Sequence, residues 1–199
     1  MRRLLTILLI LSVASISNAN LISNGGFDGS TGMYTADGWD TVWNAGVWAD
    51  TGQNALKAWG DGAQWGNGGA NQLGFAMYAG TTVSLSVDIL DPSAEPMTGA
   101  EAHLALTFKD SGGNALNGTW GTAYVNVGSG TLTPDTWTNF SFSAVAPAGT
   151  VSVDLQLEFQ GTSAGGGGGA VWFDNVGIIP EPMTVALLGL GGLLLRRRK

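Results

Sequence analysis

Val151-Ser152-Val153-Asp154-Leu155-Gln156-Leu157-Glu158-Phe159 is the stretch that decides the fold. Apolar and polar residues alternate strictly along it. A helix would scatter the apolar set around its axis, whereas a strand gathers Val153, Leu155, Leu157 and Phe159 on one face. Two more stretches repeat the pattern. Val83, Leu85, Val87 and Ile89 alternate with Ser84, Ser86 and Asp88; Ala102, Leu104, Leu106 and Phe108 leave Glu101, His103 and Thr107 on the opposite face. Turn signals at Asp91-Pro92, Ser111-Gly112-Gly113 and Asn117-Gly118 interrupt the runs. Short alternating strands between such turns predict an all-β, antiparallel β-sandwich. Gly165 to Gly169 reads as a flexible loop without chemistry.

The two ends read differently from the body. Arg2-Arg3, the apolar run Leu4 to Val13 and the small residues of Ser17-Asn18-Ala19 have the layout of a removable signal peptide, residues 1–19, cleaved before Asn20. The run is shorter than the about 20 residues a membrane-spanning helix needs. At the other end, Pro180-Glu181-Pro182 precedes the apolar run Met183 to Leu195 and the basic end Arg196-Arg197-Arg198-Lys199. A basic cluster beside an apolar helix stays on the cytoplasmic side and leaves the body outside. The run rises only about 20 Å, so crossing a ~30 Å core draws in Ile178 and Ile179 or relies on snorkelling arginines. Residues 179–199 resemble the PEP-CTERM sorting signal. The resemblance implies a transient inner-membrane intermediate held through 183–195, an exosortase-type protease as partner acting near Pro180, Glu181 and Pro182, and a final place at the cell surface or in the extracellular matrix.

Between these ends lie about 160 residues, enough for one core and one domain, 20–178. Six of the eight basic residues sit in the terminal segments. The body keeps Lys57 and Lys109 against fourteen carboxylates, a net charge near −12. Such a body repels nucleic acid and anionic lipid. With no cysteine, an exported fold must rely on its core and on any bound metal.

Several motifs in order resemble the carbohydrate-binding modules of family 4 and its relatives, with a galactose-binding-like jelly roll. Leu21-Ile22-Ser23-Asn24-Gly25-Gly26-Phe27-Asp28 resembles the family's opening, followed by Gly38-Trp39 and by Gly52-Gln53-Asn54-Ala55-Leu56-Lys57. Thr136-Trp137-Thr138-Asn139-Phe140-Ser141-Phe142 and Val171-Trp172-Phe173-Asp174-Asn175-Val176 resemble its later strands. The resemblance implies polysaccharide binding without catalysis. It also implies a structural calcium near the first and last strands, with Asp28 and Asp174 as side-chain ligands and the carbonyl of Thr51 beside them. The alternative for the two aspartates is turn capping.

Sugar rings stack their C–H faces on indoles, and their hydroxyls pair with amides and carboxylates. Trp39, Trp137 and Trp172 fall in the family's core motifs and are assigned to packing. Trp43, Trp48, Trp65 and Trp120 lie among Gly, Asn and Asp and are the stacking candidates. Asp88, His103 and Gln156 point outward on three strands that could lie side by side and are the polar candidates, against the simpler reading of solvated strand faces. A lone histidine makes a His-based zinc cage or a Ser-His-Asp triad a poor fit. Three functions remain: a polysaccharide-binding module, a structural or adhesive matrix protein without a sugar site, and an enzyme using two carboxylates drawn from Asp88, Asp91, Glu95 and Glu101.

Overall fold

The computed structural model describes residues 20–29, 31–60, 67–116, 123–162 and 167–181. They form two antiparallel sheets facing each other. One has six strands in the order β1 (Gly32–Met33), β3 (Ala45–Trp48), β4 (Ala55–Trp59), β11 (Ala170–Pro180), β6 (Thr82–Leu90), β9 (Thr138–Val145). The other has five: β2 (Thr41–Trp43), β5 (Asn67–Ala76), β10 (Ser152–Gly161), β7 (Ala100–Lys109), β8 (Ala123–Gly128). From β4 onward the chain crosses between the sheets at nearly every step, so neighbours in a sheet are distant in sequence.

The three alternating stretches become β6, β7 and β10, and their apolar sets meet between the sheets. Val83, Leu85, Val87 and Ile89 face Leu104, Leu106, Leu155 and Leu157, all fully buried. Phe27 closes one end of this core and stacks on Trp39, ring centroids 5.0 Å apart. Gln72, buried at the same end, ties Ser23 down with both amide atoms, at 3.1 and 2.6 Å.

Two sequence readings change here. Gly167 to Gly169 are built into the fold: Gly168 pairs with Thr98, and a Cβ on Gly169 would lie 2.1 Å from the Pro96 carbonyl oxygen. Gly165 and Gly166 lie outside the described residues. The final strand also runs past residue 178, through Ile179 and Pro180, and the Glu181 N–H donates to the Thr82 carbonyl at 2.8 Å. Asn20 clips this end of the sheet, accepting from the Ile178 N–H at 2.9 Å. The expected leader, Pro182 and the sorting helix fall outside the described residues, among which no helix is long and apolar enough to cross a membrane.

Candidate functional site

The outer face of the five-stranded sheet carries two rows of side chains set by strand register. Trp43 on β2, Gly69 on β5, Glu158 on β10, His103 on β7 and Asn126 on β8 stand side by side in one row. Thr41, Asn71, Gln156, Ala105 and Tyr124 form the next. Each row lies on the face opposite the core because its strand neighbours, among them Ala70, Leu104, Leu155 and Leu157, point inward. At about 4.8 Å per strand, Trp43 and Tyr124 mark edges roughly 19 Å apart.

Gly69 brings β5 close against β10, for a Cβ there would lie 2.1 Å from the Leu157 carbonyl oxygen. The face is therefore low beside its Trp43 edge and bordered by aromatic rings. Tyr124 is 58% exposed, and its ring lies 5.4 Å from that of His103. Beneath this surface the polar groups are packed rather than solvated. Glu158 is 2% exposed, held by the amides of Asn67 and of Gln156, the latter at 3.2 Å. Burial pushes its carboxyl up to about 7, with the Asn67 amide opposing the shift. His103 Nδ1 is 2.6 Å from Asn126 Oδ1. Asn71 Oδ1, buried beside Thr41 and Gln156, has no hydrogen-bond partner. A buried polar atom left unpaired costs about 1–3 kcal/mol.

The face thus unites Trp43, His103 and Gln156 of the sequence candidates. Asp88 does not join them. It stands on β6 in the other sheet, between the amides of Asn139 at 2.7 Å and Asn175 at 2.9 Å. Trp48 is also on that sheet, half-buried against the Ala55, Leu90 and Trp172 cluster and 5.6 Å from the Trp59 ring. Trp65 and Trp120 lie outside the described residues. Sequence reading missed Asn71, Tyr124, Asn126 and Glu158. The alternation of β10 marks Glu158 as outward, but only the register across β5 and β7 sets it among amides.

Asp28 and Asp174 do meet. Strand β11 shifts register between Asp174 and Gly177, with Asn175 at φ 49°, and this bulge carries Asp174 toward the opening motif. Asp28 Oδ2 and Asp174 Oδ1 lie 3.6 and 3.9 Å from the point where a Cβ of Gly26 would stand. Asp174 is 4% exposed, and burial, then the charges of Asp88 and Asp28, weaken its acidity against the hydrogen bonds from Asn175 and Gln53. The two carboxylates of this cradle supply only part of the six to eight oxygens a calcium ion takes, and Asp174 Oδ1 also accepts the Asn175 N–H at 2.7 Å, as the turn-capping alternative expects. Thr51 reaches this cradle only through Gln53, whose carbonyl accepts from Thr51 Oγ1 at 3.1 Å while its amide donates to Asp174. No group of three or more His, Cys, Asp or Glu among the described residues is arranged around one point.

Each carboxylate considered for catalysis has its own surroundings. Asp91 is buried and accepts the Met97 N–H at 2.9 Å, Glu95 pairs with Lys57 at 2.6 Å, and Glu101 lies on the opposite sheet from Asp88.

No family model matches the chain, and no curated protein matches it either. Solved structures do match. A family 16 carbohydrate-binding module aligns over 80% of this chain and 99% of its own at TM-score 0.52 and 16% identity. A cyclase from Fischerella sp. TAU aligns over 83% of this chain and 98% of its own at TM-score 0.56 and 17% identity. An arabinose-bound α-L-arabinofuranosidase aligns at TM-score 0.60 and 18% identity, over 82% of this chain but only 27% of that enzyme. At such identities the likeness is one of fold: the chain is an all-β two-sheet antiparallel sandwich of the kind seen in carbohydrate-binding modules.

Proposed function

We propose that this protein is an exported, non-catalytic polysaccharide-binding module whose ligand crosses the outer face of the five-stranded sheet. The face itself carries the reading: Trp43 borders one side, the 58% exposed Tyr124 borders the other, and His103 and Gln156 stand between them. The strand order β4-β11-β6-β9 over β5-β10-β7-β8 supports a jelly roll, the architecture the opening and closing motifs resemble. Asp91 buried on the Met97 N–H, Glu95 paired with Lys57 and Asp88 held by two amides favour binding over two-carboxylate hydrolysis. The acidic body favours neutral or weakly basic glycans. Calcium held by Asp28 and Asp174 would fix the opening segment to the last strand.

A glycan array probed with the full chain tests the central reading. Trp43→Ala and Tyr124→Ala should each weaken binding by about 1–3 kcal/mol, the cost of losing one stacking platform, with little change in Tm. Retention of full binding by both variants would favour a structural or adhesive matrix protein. For export, the tail is read as a PEP-CTERM-like sorting signal cut by an exosortase-type protease. Mass spectrometry of surface protein should find a C-terminus near Pro182 and an N-terminus at Asn20; an intact Arg196 to Lys199 end there overturns the sorting reading.

A further inference from the structure

Position 172 lies on the outer side of the six-stranded sheet, since Val171 and Phe173 point into the core. An outward strand position ordinarily carries a solvated residue, yet Trp172 is 3% exposed. It belongs to a second apolar cluster with Ala55 and Leu90, against which Trp48 and Trp137 pack. Trp137 is therefore a half-buried wall, not part of the main core as its motif implies. Beside this cluster opens a cleft of about 440 Å³, on the opposite side of the sandwich from the sheet face described above. That volume lies within the range of small-ligand sites.

The rim of the cleft is fixed in advance. Asp91 accepts the Met97 N–H at 2.9 Å, Asp135 accepts the Ser93 N–H at 2.8 Å, and the Asp135 N–H donates to the Asp91 carbonyl at 3.0 Å. The Glu95 carbonyl accepts from Ala170 at 3.0 Å. These bonds hold the 91–97 loop over the sheet, so a ligand meets a formed site and need not order it.

Charge selects the ligand. Asp50, Glu95 and Asp135 line the cleft against the single cation Lys57. The hydrogen bonds from Ser93 strengthen the acidity of Asp135 and keep it ionised. Lys57 Nζ is already engaged, 2.6 Å from Glu95 and 5.5 Å from the Trp172 ring centroid. The molecule thus holds its own ammonium between a carboxylate and an indole. Asp50 and Asp135 remain beside Trp137 for a second one.

We propose that this cleft is a second ligand site, taking a pyranose unit that carries a protonated amine, with its ring on Trp137 and its ammonium toward Asp135 and Asp50. The proposal does not depend on the sheet-face reading. It is tested on the full chain by titrating D-glucosamine, D-glucose and D-glucuronate while following the tryptophan indole N–H resonances in NMR spectra. Glucosamine should shift the Trp137 and Trp172 signals with an affinity at least roughly tenfold above that of glucose, and glucuronate should shift neither. Asp50→Asn, an exposed site that supports no packing, should weaken glucosamine binding several-fold, Trp137→Ala should abolish it, and Trp43→Ala should leave it unchanged. Equal response to glucose and glucosamine, no shift of either indole at saturating amine, or full binding by Asp50→Asn together with Trp137→Phe would overturn the assignment. Loss of the response in Trp43→Ala would move the ligand to the sheet face.

Discussion

Glu158 shows how far a single residue can depart from what its position suggests. Its folded carboxyl titrates near 7 against an ordinary 4.5, so between those values the native state binds more protons than the unfolded chain. The stabilisation of the neutral form is complete below about pH 4.5 and is lost as pH rises through about 7. We expect Glu158→Gln to remove this loss, flattening the fall in stability over that range by on the order of 3 kcal/mol. Chemical denaturation of both proteins at several pH values checks it, and parallel curves would mean that Glu158 is ordinarily ionised. Asp174 is shifted the same way as Glu158: burial, and then the charges of Asp88 and Asp28, disfavour its ionised form. Calcium at a hundred times its Kd should stabilise the protein by about 2.7 kcal/mol, seen as a higher Tm that chelator reverses. Asp174→Asn should melt no lower than metal-free protein and should lose the calcium response. A response that survives the substitution places the ion elsewhere.

At the scale of elements, β6, β7 and β10 were legible because the period of two is strict and each strand has one dry face. Strand β5 was not. Asn67-Gly68-Gly69-Ala70-Asn71 has neither the alternation nor the bulky side chains of a strand, and its conformation is imposed by β10 and β2 on either side. That omission hid Asn71. Alternation also fixes only inside against outside, not which sheet a strand joins. His103 and Gln156 fell into one sheet, while Asp88, with the same outward signal, fell into the other. Tyr124 lacked a signal of its own, since β8 gains its role by pairing with β7. The steric role of Gly69 can be checked directly. Gly69→Val should push β5 from β10, cost about 1–3 kcal/mol of stability and weaken binding on the face. A variant of unchanged Tm that still binds would show the close approach to be dispensable.

For the whole molecule, the sandwich separates its two candidate sites by the thickness of the core, so they share no partner side chain. Binding losses from Trp43→Ala and Asp50→Asn, each measured with its own ligand, should add in the double variant to within about 0.5 kcal/mol. Calorimetric titration of all four proteins tests this; a larger discrepancy would reveal coupling through the core. The two ends of the sandwich also meet, with Asn20 bonded to the Val176 and Ile178 backbone and Glu181 bonded to Thr82. The last strand stands between β4 and β6, and Pro180 pairs with Val83. Its ladder bonds run across the strand direction. Tension drawn along that strand at Glu181 therefore loads the β6–β11 bonds together in shear, from Pro180 back toward Trp172, rather than peeling them singly. Because the Glu181 N–H is itself bonded to Thr82, a mechanical load applied at Glu181 passes straight into the packed interior.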